Sequence, residues 1–392
     1  MYVRRQISER FSKIAGAYPV VALVGARQAG KTTFLRQHMG EDAAYILFDD
    51  PDAKELFEED VKNFETQYLK KLSVLDEVHY CRDAGQKLKY LADTGKRLWV
   101  TSSSELILQK EVLSYLVGRV SIIRLYPFSL PEVLEAKGLK ALTDKMLRRT
   151  VWEHITYGGY PKVVLTKDRD LKETILHDLY ETMILKDIAR TFSIEDIDSL
   201  QKFTRYLALN TSSLMTYNKI ADTVKISHQT IQKYLDAMEK NHLIRRVQPY
   251  FQNKSKEITK QPKVYFLDTG LRNAIARTFS SEVDGELFEN YVFSELVKQG
   301  FTVKFWRTKT KAEVDFVVED GNEVIPIEVK LRSTKVSKSL RSFIRAYKPK
   351  RCFVVTYEGE GRRTEYESTT IEFLDISSLT ERLSQGGKPS KR

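Results

Sequence analysis

Short runs of consecutive apolar residues, separated by stretches with helical spacing, open the chain. Val20–Val24 is one such run, and Tyr45–Phe48, Leu72–Leu75, Leu98–Thr101 and Ser121–Leu125 repeat it. A strand buried on both faces reads as a continuous apolar run rather than an alternation. The pattern predicts an α/β domain with a mainly parallel sheet over residues 1–130. From Ser129 to Leu209 the strand signal fades. Leu171–Thr191 carries apolar residues at helical spacing, and Gly158-Gly-Tyr-Pro161 interrupts the helices. A helical, lid-like region over 131–210 is expected.

The pattern changes again over 211–268. Tyr217–Thr223 suits a short helix, and Ser227 suits the N-cap of a second helix over Gln229–Lys240. Leu243–Val247 and Lys263–Leu267 read as two strands around a polar, basic loop. That is a helix-turn-helix with a wing. Residues 269–384 return to α/β, with an amphipathic helix over Glu286–Lys298. Strands follow at Val303–Trp306, Glu313–Val318, Val324–Val329 and Cys352–Val355. The tail 385–392 is rich in Gly, Pro, Ser and Lys, and is expected to be disordered.

Between the first strand and the helix after it stands Gly25-Ala26-Arg27-Gln28-Ala29-Gly30-Lys31-Thr32-Thr33, a full match to the phosphate-loop pattern GxxxxGK[ST]. The two glycines let backbone amides turn toward phosphates. Lys31 is placed to reach the β- and γ-phosphates of ATP, and Thr32 to ligate Mg²⁺. The helix that follows directs its positive end at the same anions. Asp76 and Glu77 end the apolar run Leu72–Leu75. Downstream of a phosphate loop, Asp76 is expected to bind Mg²⁺ and Glu77 to polarise the attacking water. Ser102, Ser103 and Ser104 follow the fourth run, either as γ-phosphate contacts or as a polar turn. Arg119 is either an arginine finger, in cis or in trans, or a surface arginine. A trans role would require subunits to meet at the nucleotide.

These segments resemble an AAA+-type ATPase family of bacteria and archaea. The resemblance rests on the phosphate loop, on Leu75-Asp-Glu77, on Thr101-Ser-Ser103, and on Gly118-Arg119 followed by Leu125-Tyr-Pro127. Gly158-Gly-Tyr-Pro161 and Pro262–Leu271 extend it over nearly the whole chain except the tail. Ser102 stands where the family often has Gly, and His79 where Gln is frequent. The resemblance implies an AAA+ core, a winged helix, and a C-terminal domain like the PD-(D/E)XK (restriction-endonuclease-like) nucleases.

Four residues carry the nuclease idea. Asp315 lies in Glu313–Val317, and Glu328 and Lys330 lie in Ile325–Lys330, thirteen residues on. In a strand, Glu328 and Lys330 point to one side. Asp315 and Glu328 would bind Mg²⁺, Lys330 would orient water or stabilise developing charge, and Glu289 would complete the acidic cluster. The alternative is an inactivated fold in which these charges are a residual network.

Charge sharpens the picture. The net charge is +11, from 64 Lys and Arg against 53 Asp and Glu. Residues 1–200 hold 30 basic and 30 acidic residues, so the excess lies entirely in 201–392, with 34 against 23. Residues 201–263 alone hold 12 against 4. A local excess of this kind suits nucleic acid, or a solvated basic face. His228, Gln229, Thr230, Gln232, Lys233 and Tyr234 on the second helix suit base edges and phosphates. Arg245, Arg246, Lys254, Lys256 and Lys260 in the wing suit the DNA backbone. Winged helices also bind proteins, so a protein partner stays open.

Two cysteines, Cys81 and Cys352, exclude a disulfide framework and a cysteine zinc site, and fit a reducing interior. Arg4, Arg5, Arg10 and Lys13 before Ile14–Ala26 superficially resemble a signal peptide, but Pro19 interrupts the stretch and its second half is the strand feeding the phosphate loop. No run reaches the roughly 18 apolar residues a membrane helix needs. A soluble, cytoplasmic protein is expected. The leading expectation is a DNA-directed, Mg²⁺-dependent ATPase. The alternatives are a nucleotide-gated protein-interaction switch or scaffold, and a nuclease whose access ATP controls.

Overall fold

The computed structural model describes residues 2–102, 113–139, 143–189, 191–251, 261–321, 323–333, 335–359 and 361–386. Five strands form the first sheet: β1 (Val20–Val24), β2 (Ala44–Leu47), β3 (Leu72–Asp76), β4 (Arg97–Ser102) and β5 (Val120–Arg124). Their order is β2-β3-β4-β1-β5, and every pairing is parallel. All five residues of β1 are buried, because helices cover both sheet faces. All five apolar runs are therefore strands, within a residue or two of their expected ends.

The helical region holds Asp144–Tyr157, Arg169–Thr182 and Ile197–Leu209. Thr143, Asp168 and Asp196 cap them by accepting an N–H from the first turn. Met183–Ala189 continues the second helix as a π-helical segment. The next pair, Tyr217–Val224 and His228–Lys240, turns at Lys225, which adopts a left-handed backbone. Ser227 caps the second helix through the Thr230 N–H, 3.1 Å away, as its position predicted. β6 (Ile244–Val247) and β7 (Lys263–Phe266) pair antiparallel behind it. Lys254, Lys256 and Lys260, expected in the wing, lie outside the described residues.

One boundary moves. The helix Thr269–Ala276 buries Leu271, Ala274 and Ile275 in the same core as Leu176, Leu179 and Leu200. It belongs with the helical region, not with a domain beginning at 269. An amphipathic helix reveals that it packs, but not which neighbour it packs against.

The last sheet has order β12-β13-β11-β10-β9-β8. Its strands are β8 (Val303–Arg307), β9 (Glu313–Asp320), β10 (Glu323–Lys330), β11 (Arg351–Thr356), β12 (Arg362–Tyr366) and β13 (Thr369–Leu374). β10 runs parallel to β11, and β11 to β13, while the other pairs are antiparallel. β12 and β13 were not expected from the sequence. β12 is a polar edge strand with little apolar pattern to read. The helix Gly285–Lys298 packs on one face and Lys338–Tyr347 on the other. The final helix, Ile376–Gly386, takes in the first two residues of the expected tail, and residues 387–392 lie outside the described set.

Among the described residues, no helix is long and apolar enough to cross a membrane.

Candidate nucleotide site and second acidic centre

The phosphate loop leaves the carboxy-terminal end of β1, where the sheet's neighbours diverge and ligands of open α/β sheets bind. Gly25 is pressed against the strand beside it: a Cβ there would lie 2.1 Å from the Leu125 carbonyl oxygen. Gln28 and Gly30 take left-handed backbone angles, with φ of 60° and 98°. Gly30 precedes the helix Lys31–His38, whose first turn carries Thr32 and the exposed Thr33. Ala26 and Ala29 turn inward and join the core of the helical region.

Lys31 folds back into the loop. Its Nζ donates to the carbonyl oxygens of Gly25, at 2.9 Å, and Ala26, at 3.2 Å. Burial lowers its pKa, and the carboxylates of Glu77 and Asp76 oppose that shift. Thr32 Oγ1 donates to Asp76 Oδ2 at 2.8 Å. Tyr45 Oη donates to the same carboxylate oxygen, and Thr101 Oγ1 donates to Asp76 Oδ1. Thr32 and Asp76 thus stand side by side as two hard oxygen donors, a pair that fits Mg²⁺ held jointly with nucleotide phosphates. Among the described residues, no group of three His, Cys, Asp or Glu side chains is arranged to hold a metal alone.

Glu77 directly follows β3 with φ of 58°, and its N–H donates to Thr101 Oγ1 at 2.8 Å. Thr101 therefore orients both acids. Glu77 Oε2 lies 3.2 Å from His79 Nδ1. Burial, with Lys31 and Arg27 nearby, pushes the His79 pKa down to about 4. The contact is therefore one between a neutral imidazole and a carboxylate.

Arg27 points out of the loop toward the helical region. Its Nη2 donates to Asp187 Oδ1 at 2.8 Å and its Nε to Oδ2 at 3.0 Å. Asp187 sits on the π-helical segment and is buried. This fork raises the Arg27 pKa. From the other side, the buried Arg5 donates from Nη1 to the Ala29 carbonyl at 3.1 Å and from Nε to Glu132 at 3.0 Å. Arg5, Tyr45 and Asp187 were not expected at the site from the sequence. Each reaches the site from a distant segment with no local motif.

The remaining expected site residues are the serines after β4 and Arg119. Ser103 and Ser104 lie outside the described residues, while Ser102 is buried at the end of β4. Arg119 precedes β5, which runs parallel to β1 with Val20 opposite Val120. It therefore sits at the sheet end opposite the phosphate loop and pairs with Asp93 at 2.7 Å. A role in cis is excluded by the roughly 17 Å that five strand residues span.

The second acidic centre assembles as its strand positions predicted. Asp315 on β9 and Glu328 and Lys330 on β10 meet: Lys330 Nζ lies 3.7 Å from Asp315 Oδ2 and 3.3 Å from Glu328 Oε1. Asp315 also accepts the Val329 N–H at 2.7 Å. Burial raises the pKa of both carboxyls, and Lys330 opposes that rise. Glu328 Oε2 is buried without a hydrogen-bond partner among the described residues, an acceptor that fits a cation. Glu289 lies alongside, but it is already engaged by β7. Lys263 Nζ donates to its Oε1 at 3.2 Å, and Tyr265 Oη donates to the same oxygen at 2.5 Å. Burial pushes the Glu289 carboxyl up to about 7 against the pull of Lys263. Lys263 also pairs with Glu313.

On the helix His228–Lys240, His228, Gln229, Gln232 and Lys233 are exposed and Thr230 is half-buried. Tyr234 is not available: it is buried, and its hydroxyl donates to the Asp196 carbonyl at 3.2 Å. Arg246 is held by Glu239 and Asp236, each at 2.7 Å, so its charge is offset internally.

Residues 17–134 match the family described as AAA domain. Residues 148–282 and 284–378 match two domains of unknown function, DUF8612 and DUF4143. Residues 17–134 are an AAA-type P-loop ATPase domain. The junction near 283 agrees with the packing of the helix Thr269–Ala276. An uncharacterized protein of Haemophilus influenzae is 27% identical over 334 residues, covering 79% of this chain and 82% of that protein. One of Methanocaldococcus jannaschii is 26% identical over 385 residues, covering 90% and 84%. Among solved structures, a Walker-type ATPase of Pyrococcus abyssi is 12% identical with a TM-score of 0.48, covering 70% of this chain and 96% of that chain.

Proposed function

We propose that the chain is a Mg²⁺-dependent ATP hydrolase that acts on DNA. The observation that carries the ATPase half is the 2.8 Å contact of Thr32 Oγ1 with Asp76 Oδ2, with Lys31 buried beside it and Glu77 next in sequence. In this reading Lys31 exchanges its two carbonyl contacts for the β- and γ-phosphates. Thr32 and Asp76 hold the cation, which would neutralise phosphate charge. Glu77 takes the proton of the attacking water, and the Thr101 hydroxyl fixes where Glu77 leaves the strand. Arg119, remote from its own loop, would serve a neighbouring copy in an oligomer.

The DNA half is supported by the exposed polar side chains of His228–Lys240 and the basic excess over 201–263. The C-terminal domain is read as nuclease-like, on the meeting of Asp315, Glu328 and Lys330. The test is phosphate release with and without DNA, for wild type, Lys31→Ala and Glu77→Gln. Stimulation by DNA in the wild type alone is the expected result. Unchanged turnover, with no DNA binding at low salt, would refute the DNA half.

A second reading keeps the ATPase but makes the C-terminal domain a scaffold that does not cut. The occupation of Glu289 and Glu313 by Lys263 favours it. Plasmid nicking with Mg²⁺ that Asp315→Ala abolishes would exclude it.

A further inference from the structure

A cleft of about 590 Å³ opens where the ATPase domain, the winged-helix strands and the C-terminal sheet converge. Its wall on the ATPase side is Arg10, from the helix Ser8–Ala17, with Arg124 and Tyr126 at the end of edge strand β5. Its opposite walls carry Arg245 from β6, Lys304 from β8, and Phe301. Among the described residues, no Asp or Glu lines it. Carboxylates stand behind some of its cations: Glu239 behind Arg246, Glu295 behind Lys298 and Glu319 behind Lys304.

The cleft also carries unmet hydrogen-bonding capacity. Gln299 Nε2 and Oε1 and Gln248 Oε1 are buried, with no hydrogen-bond partner among the described residues. These atoms lie beneath the cleft surface, and a change of side-chain rotamer would be needed to bring them to a ligand.

We infer that this cleft binds a single strand of nucleic acid. A groove that pairs cations with aromatic faces suits a lone strand, because phosphates meet the cations while unstacked bases rest on rings. Here Arg10 and Arg124 supply charge, and Tyr126 and Phe301 supply faces. A duplex keeps its bases stacked and has none to lay on Tyr126 and Phe301. The inference rests on the nucleic-acid reading above. It differs in place, since the cleft is walled partly by the ATPase domain, and in ligand.

The test is fluorescence anisotropy of a labelled oligothymidine at low salt, run beside the matching duplex. Three full-length proteins are compared: wild type, Arg10→Glu/Arg124→Glu and His228→Ala/Lys233→Glu. Arg10 and Arg124 are exposed, so reversal leaves the fold intact, which a thermal melt checks. The expected result is that the Arg10/Arg124 reversal weakens single-strand binding at least about tenfold, while Arg10→Lys/Arg124→Lys retains it. Single-strand binding untouched by the reversal but lost with His228→Ala/Lys233→Glu would overturn the cleft and leave the winged-helix reading standing. Binding of the duplex alone would do the same. Binding of neither would overturn both. In the Lys31→Ala variant, inorganic triphosphate captured by the cleft with no strand bound would assign the site to a free phosphate compound and overturn the inference.

Discussion

In the proposed mechanism Lys31 and Glu77 divide the work of the nucleotide site in a way that separate measurements can distinguish. Lys31→Ala removes the side chain proposed to neutralise the transferred phosphoryl group, so both binding of a fluorescent ATP analogue and phosphate release are expected to fall below detection. Glu77→Gln keeps shape and hydrogen bonding but not basicity. It is expected to retain binding and to lose about 10²–10⁴-fold in turnover. Equal turnover of Glu77→Gln and wild type would remove Glu77 from the mechanism. The phosphate loop was readable in the sequence because its chemistry is contiguous. Asp187 was not, because 160 residues separate it from Arg27. The acidic centre lies between: strand alternation put Glu328 and Lys330 on one side, while Lys263 and Tyr265, its partners from another domain, left no mark in its motif.

The π-helical segment Met183–Ala189 is the element that reads the loop. It delivers a buried carboxylate to Arg27, and that negative charge also bears on Lys31. A triphosphate entering the loop therefore meets an anion built into the helical region. Asp187→Asn is expected to tighten ATP binding by up to about tenfold, because the repulsion is removed while a hydrogen bond to Arg27 is kept. Weaker binding in an equilibrium titration would instead assign Asp187 a purely supporting role for Arg27. Sequence reading succeeded for elements whose apolar pattern is local and failed for those defined by neighbours. The runs of β1 to β5 announce a doubly covered sheet. The helix Thr269–Ala276 showed its apolar face but not its place in the helical core, and β12 offers mostly polar side chains at a sheet edge.

Across the whole molecule, the C-terminal domain is tied to the others by buried polar contacts. Glu295 accepts the Leu130 N–H at 2.8 Å, and His154 joins Tyr291, at 2.9 Å, to the Phe128 carbonyl, at 3.1 Å. The carbonyl accepts from Nε2–H, so Nδ1 accepts the tyrosine proton and the ring is neutral. Burial holds the His154 pKa well below its ordinary 6.5. As pH falls through about 6.5, the unfolded chain gains a proton here that the folded chain does not, so stability is lost toward acid. In melts between pH 7.5 and 5, wild type is expected to lose Tm more steeply than His154→Gln. Parallel curves would show that the ring titrates normally. Buried carboxyls with raised pKa values, Asp268 and Glu295, act in the opposite sense in both proteins and cancel in the comparison. Gly158→Ala is expected to cost roughly 3 kcal/mol or more, since its Cβ would lie 2.0 Å from Asp268 Oδ1 at a φ of +73°. An unchanged Tm would show that the joint yields.

That joint has a mechanical meaning. Gly270 lies so close to Tyr157 that a Cβ would be 2.1 Å from its carbonyl carbon and oxygen, and Gly159 donates its N–H to Asp268 at 2.7 Å. At Gly270 main chain presses on main chain, while the Asp268 carboxylate fills the space beside Gly158 and Gly159. Such a contact transmits force as a rigid bearing does. It resists separation, and the Asn273 amide, which donates to the Ile155 and Thr156 carbonyls, resists rotation about it. Under the proposed ATPase reading, the helices Asp144–Tyr157 and Thr269–Ala276 would therefore move together as one body.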